Sequence, residues 1–281
     1  MKITILVDNT TLTDHYFYGE PGLSFHIEEG GRKILFDLGY SDVFLKNALK
    51  MNIDLLDLDN IVLSHGHIDH TGGLFTLMQA YLEARLEGIP HKNPVLVAHP
   101  FCFYPKPAGK VPDTGSFIRE NTAGRYFPLK LSREPVWLTE KLVFLGEIER
   151  TQDFEPAEKN KNRRIIAPGG EQPDDLLDDS ALVYRSDEGL VIITGCAHTG
   201  ICNTIEYARK VCGDERILEI VGGLHLLLPE AEVIEKTCRY LMDVHPAAIH
   251  PCHCTDLHSK IALSRVAPIH EAGVGLTLEY H

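Results

Sequence analysis

No apolar run in these 281 residues approaches the roughly 20 needed to cross a bilayer as a helix, so no membrane span is expected. Cysteine is too sparse and too odd in number for a disulfide framework. Seven thiols without a CxxC pair point to reduced side chains, and Cys252-His253-Cys254 is too tight for all three to reach one ion easily. Positive charge is short as well: 27 Lys and Arg stand against 40 Asp and Glu. The net charge of −13 disfavours a broad nucleic-acid or anionic-membrane surface. No repeat of fixed period is present. The start, Met1 to Asp8, is apolar for too few residues to be a signal peptide and reads as a strand, so the expected compartment is the cytoplasm. What remains, at 44% hydrophobic, is enough for a full core, and we read residues 1–281 as one domain.

Against this background one stretch stands out. Ile61 to Leu63 reads as a buried strand, and it runs into Ser64-His65-Gly66-His67-Ile68-Asp69-His70-Thr71-Gly72-Gly73. Three histidines and an aspartate in six residues have the composition of a metal site, suited to zinc, iron or manganese. Alternate side chains of an extended segment point the same way, so His65 and His67 can converge on one ion while Asp69 and His70 turn toward a second. Leu74, Leu77, Met78, Tyr81, Leu82 and Leu86 then follow at helical spacing.

Elsewhere the pattern alternates between strands and helices. Leu23 to Ile27 and Lys33 to Asp37 flank Glu28-Glu29-Gly30-Gly31 as a hairpin, and a helix is expected from Ser41 to about Met51. Residues 94–99 form the next strand. Ala181 to Tyr184 and Leu190 to Ile193 make a second hairpin. Helices follow at about 202–211 and 230–244, with strands at 217–221 and 247–249. This order predicts two sheets packed between helices.

Three strands of the second half end in histidines: His198, His225 and His253. His198 and His253 are read as further metal ligands, and His225 as a donor of a hydrogen bond or proton, with Gly222 and Gly223 letting substrate approach. His250 and Cys252 are placed just behind them. Residues 100–135, rich in Pro, Gly and aromatics, are expected to form a substrate cap. There Lys106, Lys110, Arg119, Arg125, Lys130 and Arg133 outnumber Asp113 and Glu120. Residues 152–179, with Lys159-Asn160-Lys161-Asn162-Arg163-Arg164 and the pair Asp178-Asp179, are expected to be a mobile surface connection.

His65-Gly66-His67-Ile68-Asp69-His70 resembles the HxHxDH motif of the metallo-β-lactamase superfamily. With Val7-Asp8-Asn9, Leu35-Phe36-Asp37-Leu38-Gly39, Gly195-Cys196-Ala197-His198, Gly222-Gly223-Leu224-His225 and His253-Cys254-Thr255, the chain is similar to one branch of it. That branch is the family of 7,8-dihydropterin-6-methyl-4-(β-D-ribofuranosyl)aminobenzene-5′-phosphate synthases. The resemblance implies a four-layer αββα sandwich of the α/β class, with one or two divalent metal ions, zinc first and iron or manganese next, at one sheet edge. It implies that His65 and His67 hold the first ion and Asp69 and His70 the second, and that His253 matches the last superfamily histidine. One departure is plain: most members have Thr-Gly-Asp, with a bridging Asp, where this chain has Thr194-Gly195-Cys196. His198, two residues on, is expected to supply the missing ligand, and thiolate ligation is disfavoured.

The implied activity is a transfer onto a phosphorylated small molecule: an arylamine phosphate displaces pyrophosphate from a hydroxymethyl-dihydropterin diphosphate. Asp69 and His225 would serve the chemistry. Lys110, Arg119 and Arg125 would meet phosphate, and Tyr104, Phe117 or Phe127 would stack on a flat ring. A metal-dependent hydrolase of phosphodiesters, lactones or other esters is the nearest rival. A non-catalytic metal or ligand sensor, with a closed coordination shell, is the rival of another class. Oligomeric state is left open.

Overall fold

The computed structural model describes residues 1–155 and 162–281. Lys159, Asn160 and Lys161 of the basic run named above lie outside the described residues. One sheet holds seven strands: β1 (Lys2–Val7), β2 (Ser24–Glu29), β3 (Arg32–Phe36), β4 (Asn60–Val62), β5 (Val95–Ala98), β6 (Leu129–Leu131) and β15 (Thr277–Glu279), in the order β15-β1-β2-β3-β4-β5-β6. The other holds β7 (Val136–Trp137), β8 (Leu142–Phe144), β11 (Ala181–Arg185), β12 (Leu190–Thr194), β13 (Ile217–Gly223) and β14 (Ala248–Cys252), in the order β14-β13-β12-β11-β8-β7. A small ribbon of β9 (Arg164–Ala167) and β10 (Gly170–Pro173) stands apart.

Alternation along the strands sorts side chains into layers. Ile34, Phe36, Val62 and Val97 of the first sheet meet Phe144, Leu182, Val191, Ile193 and Val221 of the second in a shared core. Leu35, Ile61, Leu63 and Leu96 face outward onto α1 (Val43–Lys50) and α3 (Leu74–Glu87), and a four-residue helix, α2 (Ile68–Thr71), lies between them in sequence. A second short helix is α4 (Glu120–Ala123). On the far side, Leu190, Ile192 and Ile220 pack on α5 (Ile201–Cys212), α6 (Ala231–Val244) and α7 (Leu257–Leu263). Helices thus cover both outer faces of two stacked sheets, the expected αββα sandwich.

Local chemistry explains the punctuation. Gly30 and Gly31 both adopt left-handed backbone (φ 57 and 76), which a two-residue hairpin loop requires. Leu74, Leu77, Met78, Tyr81 and Ala84 are the buried stripe of α3, whereas Leu82 and Leu86, grouped with it from the sequence, face solvent. Gly88 ends that helix in the left-handed conformation.

The polarity of the strands is what builds a site. β3, β4 and β5 run parallel in the first sheet, and β12, β13 and β14 run parallel in the second. Their C-terminal ends, with Asp37, Ser64-His65, Cys196, His225 and His253, are therefore gathered at one edge of the sandwich.

Two expectations need correcting here. The 100–135 segment is not an open cap throughout: it contains α4 and β6, Lys106 is buried, and Phe127 is 1% exposed against Tyr81 at 5.2 Å between ring centroids. Phe127 therefore cannot stack on a ligand. The end of the 152–179 connection is also fixed rather than superficial, since Asp174, Asp178 and Asp179 are buried and hydrogen-bonded.

Candidate metal centre

The histidines predicted from the sequence do meet. His65 Nε2 lies 3.0 Å from His67 Nδ1, and His70 Nε2 lies 3.2 Å from His253 Nε2. The His198 ring stands 4.8 Å from both His65 and His67, and 4.0 Å from that of His225, measured between centroids. Asp69 Oδ2 is 3.5 Å from His253 Nε2 and 4.0 Å from His70 Nε2. Ligand atoms of His65, Cys196 and His198 lie within 4.8 Å of one another, as do those of His70, Cys196 and His253, and those of Cys196, His225 and Cys254.

Residues that sequence reasoning left without a role orient these rings. Asp37 is fully buried at the end of β3 and accepts from Ser64 N at 2.7 Å, Ser64 Oγ at 2.6 Å and His70 Nδ1 at 2.7 Å. Because the Ser64 hydroxyl proton goes to Asp37, His65 Nδ1 must donate to Ser64 Oγ at 2.9 Å, which leaves the His65 Nε2 lone pair turned inward. His70 is held in the same sense. His253 Nδ1 donates to Asn9 Oδ1 at 3.0 Å and its backbone N–H to Asp8 Oδ1 at 2.8 Å, so its Nε2 also faces the cluster. An acceptor behind the imidazole, a hydroxyl for His65, a carboxylate for His70 and an amide oxygen for His253, is the arrangement that fixes tautomer and aim in metal sites. Asp37, Ala197, His225 and His253 moreover adopt left-handed backbone (φ 57, 54, 50 and 51), and strain of this kind collects at functional sites.

Electrostatics agree with a cation. Burial, with repulsion from His70, His67 and His198, pushes His65 well below its usual pKa, and burial with nearby Arg163 and Lys106 takes His67 down to about 3. Burial and His225 likewise depress His198. These imidazoles are neutral near pH 7, the form that binds metal. His70 is the exception: against burial, Asp37 and Asp69 hold its imidazolium up to about 9. Burial would raise Asp69, but His70 and His253 keep it below the usual carboxylate range. Clustered nitrogen donors with a carboxylate and a thiol beside them fit a zinc-like divalent ion.

Beyond the donors, Arg163 Nη1 reaches within 3.0 Å of His67 Nε2, and Asp178 accepts the backbone N–H of Gly66 at 2.8 Å. Neither carries a motif of its own, since each arrives from the connection read as mobile. A cavity of about 240 Å³ opens beside His198 and His225, walled by Phe154, Leu224, Leu226 and Pro229.

The remaining assignments fare differently. Among the described residues, none of Lys110, Arg119, Arg125, Tyr104 and Phe117 is hydrogen-bonded or ion-paired to the histidines. Lys110 and Arg125 are exposed, Arg119 pairs with Asp113 at 3.0 Å, and Tyr104 packs on Phe101 at 5.5 Å. Phe117 is 67% exposed, two residues beyond Gly115, which bridges to His67. Lys106 belongs to no basic surface. Gly222 and Gly223 serve strand packing rather than substrate approach, because a Cβ there would meet Thr194 O at 2.1 Å or Gly195 O at 2.4 Å. His250 stands apart from the centre, paired with Glu219 at 2.5 Å and stacked on His270.

The profile of the metallo-beta-lactamase superfamily matches residues 18–210. The chain belongs to this superfamily. As a member of it, the chain is 31% identical, over 92% of its length and 89% of the relative's, to 7,8-dihydropterin-6-methyl-4-(beta-D-ribofuranosyl)-aminobenzene-5′-phosphate synthase of Methanocaldococcus jannaschii. An uncharacterized protein of the same organism is 29% identical over 94% of both chains. Among solved structures, a metal-dependent hydrolase of the beta-lactamase superfamily is 29% identical and superposes with a TM-score of 0.82, covering 99% of this chain and 98% of that one. Among the described residues no helix is long and apolar enough to cross a membrane.

Proposed function

We propose that this superfamily member is a metal-dependent enzyme acting on a phosphorylated small molecule, joining an arylamine phosphate to a dihydropterin with loss of pyrophosphate. The observation that carries the reading is the convergence of His65, His67, His70, His198, His253 and Asp69 at one sheet edge. The 31% identity to the archaeal synthase over 92% of the chain supports the choice of reaction.

One or two divalent ions, zinc first and iron or manganese next, would supply Lewis acidity toward a departing phosphate oxygen. The chain's own residues do the rest. Asp37, Ser64 and Asn9 hold the imidazoles in the tautomers described, and Asp69 adds a carboxylate on the His70 and His253 side. His225, exposed beside His198, takes the proton that the arylamine nitrogen loses as its bond to the pterin methylene forms and the carbon–oxygen bond to pyrophosphate breaks. The 240 Å³ cavity is small for a whole substrate and is assigned one ring of it, against Phe154 and the Leu224–Pro229 turn. Arg163 meets phosphate at the His67 side. Phe117 covers a flat ring there, and exposed Lys110 and Arg125 attract phosphate from outside. Arg119, tied to Asp113, contributes least. A small-molecule substrate rather than nucleic acid accords with the net charge of −13, and a reducing compartment such as the cytoplasm accords with seven free thiols.

A second reading, hydrolysis of a phosphate ester or lactone, is favoured by the 0.82 superposition on a metal-dependent hydrolase. One assay separates them. Metal-loaded protein is mixed with a hydroxymethyl-dihydropterin diphosphate, with and without the ribofuranosyl-aminobenzene phosphate, and pyrophosphate release is followed. Release only when both are present supports transfer. Equal release without the arylamine means hydrolysis, and none in either case removes the pterin reading.

A further inference from the structure

We infer that Glu155 is the residue that reads the pterin: in the 240 Å³ cavity its carboxylate accepts the paired N–H donors of the aminopyrimidinone ring. The arylamine phosphate is thereby left outside that cavity. The inference deepens the proposed transfer and rests on it. Phe154 and Glu155 wall the cavity together with His198, His225, Leu224 and Pro229. Among the described residues no Lys or Arg lines it, and its carboxylates, Glu155 and the exposed Glu230, give it acidic walls. Such a space repels a phosphate and favours a neutral ring with N–H donors on its edge.

The carboxylate is built in. Glu155 is 7% exposed, and its Oε1 and Oε2 accept from Cys202 N at 2.9 Å and Asn203 N at 2.8 Å, in the first turn of α5. The segment that carries it is pinned to the same turn. Asn203 Oδ1 accepts from Thr151 N at 2.7 Å and Gln152 N at 2.8 Å, while its Nδ2 donates to Thr199 O at 2.8 Å. Gly200 stands at φ 100, and a Cβ there would lie 2.2 Å from Glu155 Cδ, so glycine is what lets the carboxylate sit so close.

Burial pushes the Glu155 carboxyl up, and among the described residues no cation stands beside it to offset this. A carboxylate has about four acceptor sites, so the two backbone bonds leave it able to take more donors. The 2-amino group and ring N3–H of an aminopyrimidinone lie side by side, the pairing that a carboxylate accepts from a guanidinium. His198 and His225 line the same cavity, so a ring held by Glu155 stays beside the group assigned the arylamine proton.

The test titrates zinc-loaded full-length protein with 6-hydroxymethylpterin and with its 2-oxo counterpart, which lacks the amino donor, following ligand fluorescence. Wild type should prefer the 2-amino compound by about 10–100-fold, the range for a hydrogen bond to a charged group. Glu155→Gln should bind the two about equally, whereas general loosening of the cavity would weaken both and leave the preference intact. Should Glu155→Gln fail to fold, Glu155→Asp, which keeps the charge and draws it back by one methylene, should narrow the preference. Equal binding by wild type, or a preference that survives Glu155→Gln and vanishes in Glu230→Gln, overturns the assignment while pterin binding stands. Guanosine shares the same donor edge, and guanosine bound more tightly than the pterin would overturn the pterin assignment of this cavity. Wild type that binds neither pterin compound overturns this inference together with the pterin reading beneath it.

Discussion

Replacing Lys106 by methionine takes one cation out of a buried triangle. Lys106 is 1% exposed, and its Nζ donates to Asp174 Oδ2 at 3.0 Å and to Asp178 Oδ1 at 2.9 Å. Methionine fills much of the same space but leaves two buried carboxylates facing each other, one of them, Asp174, already pushed up by burial. Losing one partner of a buried ion pair costs about 3–5 kcal/mol, since the remaining charge has neither water nor a partner. At roughly 2 °C per kcal/mol for a chain of this size, the melting temperature should fall by about 6–10 °C. The damage reaches the metal centre, because Asp178 Oδ2 also holds the N–H of Gly66, between His65 and His67. Metal affinity should drop by about 10–100-fold, as it does when an outer support of a ligand is lost. Urea unfolding of chelator-treated protein at pH 7, with zinc titration alongside, measures both effects. Asp178→Asn supplies the control: with one carboxylate neutralised, the further loss from Lys106→Met should be smaller by at least about 1 kcal/mol. A Lys106→Met cost below about 1 kcal/mol, or simple additivity with Asp178→Asn, would refute the argument.

In metal-free protein, the His70 pKa of about 9 contributes stability that is complete below the unfolded value near 6.5 and is lost as pH rises from there through 9. Cys254, held below its usual range, contributes in the opposite direction, its stability lost as pH falls, so the informative quantity is the difference between wild type and Asp37→Asn. That difference should be larger at pH 6 than at pH 9.5, by up to about 3 kcal/mol. A pH-independent difference in urea unfolding would show that Asp37 does not hold the His70 charge. Gly222→Ala, at φ 126 and with its Cβ 2.1 Å from Thr194 O, should cost more than about 2 kcal/mol by thermal unfolding. A near-neutral result would mean that β12 and β13 separate easily. His198→Ala should lose one bound ion by mass spectrometry relative to wild type, and unchanged occupancy would take His198 out of the ligand set.

Where strand identity rested on local pattern, the sequence was enough. The two hairpins, the helix from Leu74 to Glu87 and the histidine-bearing strand ends all follow from periodicity and turn chemistry, which act over a few residues. Residues 100–135 were less legible. Prolines and glycines hid the short β6, whose pairing with β5 is a contact across sequence, and Phe127 looked available only because its partner Tyr81 lies far back in the chain.

The residue types of the candidate site were therefore legible in the sequence, because a histidine or aspartate at a strand end keeps its chemistry wherever the strand goes. What only the tertiary structure decided was which groups stand behind and between them. Asp37 supports His70 from 33 positions away, Lys106 reaches Asp178 across 72, and Cys196 meets Cys254 across 58. Parallel strands in two stacked sheets bring these residues to a common edge. No local pattern records that placement, because it depends on how the two sheets register against each other.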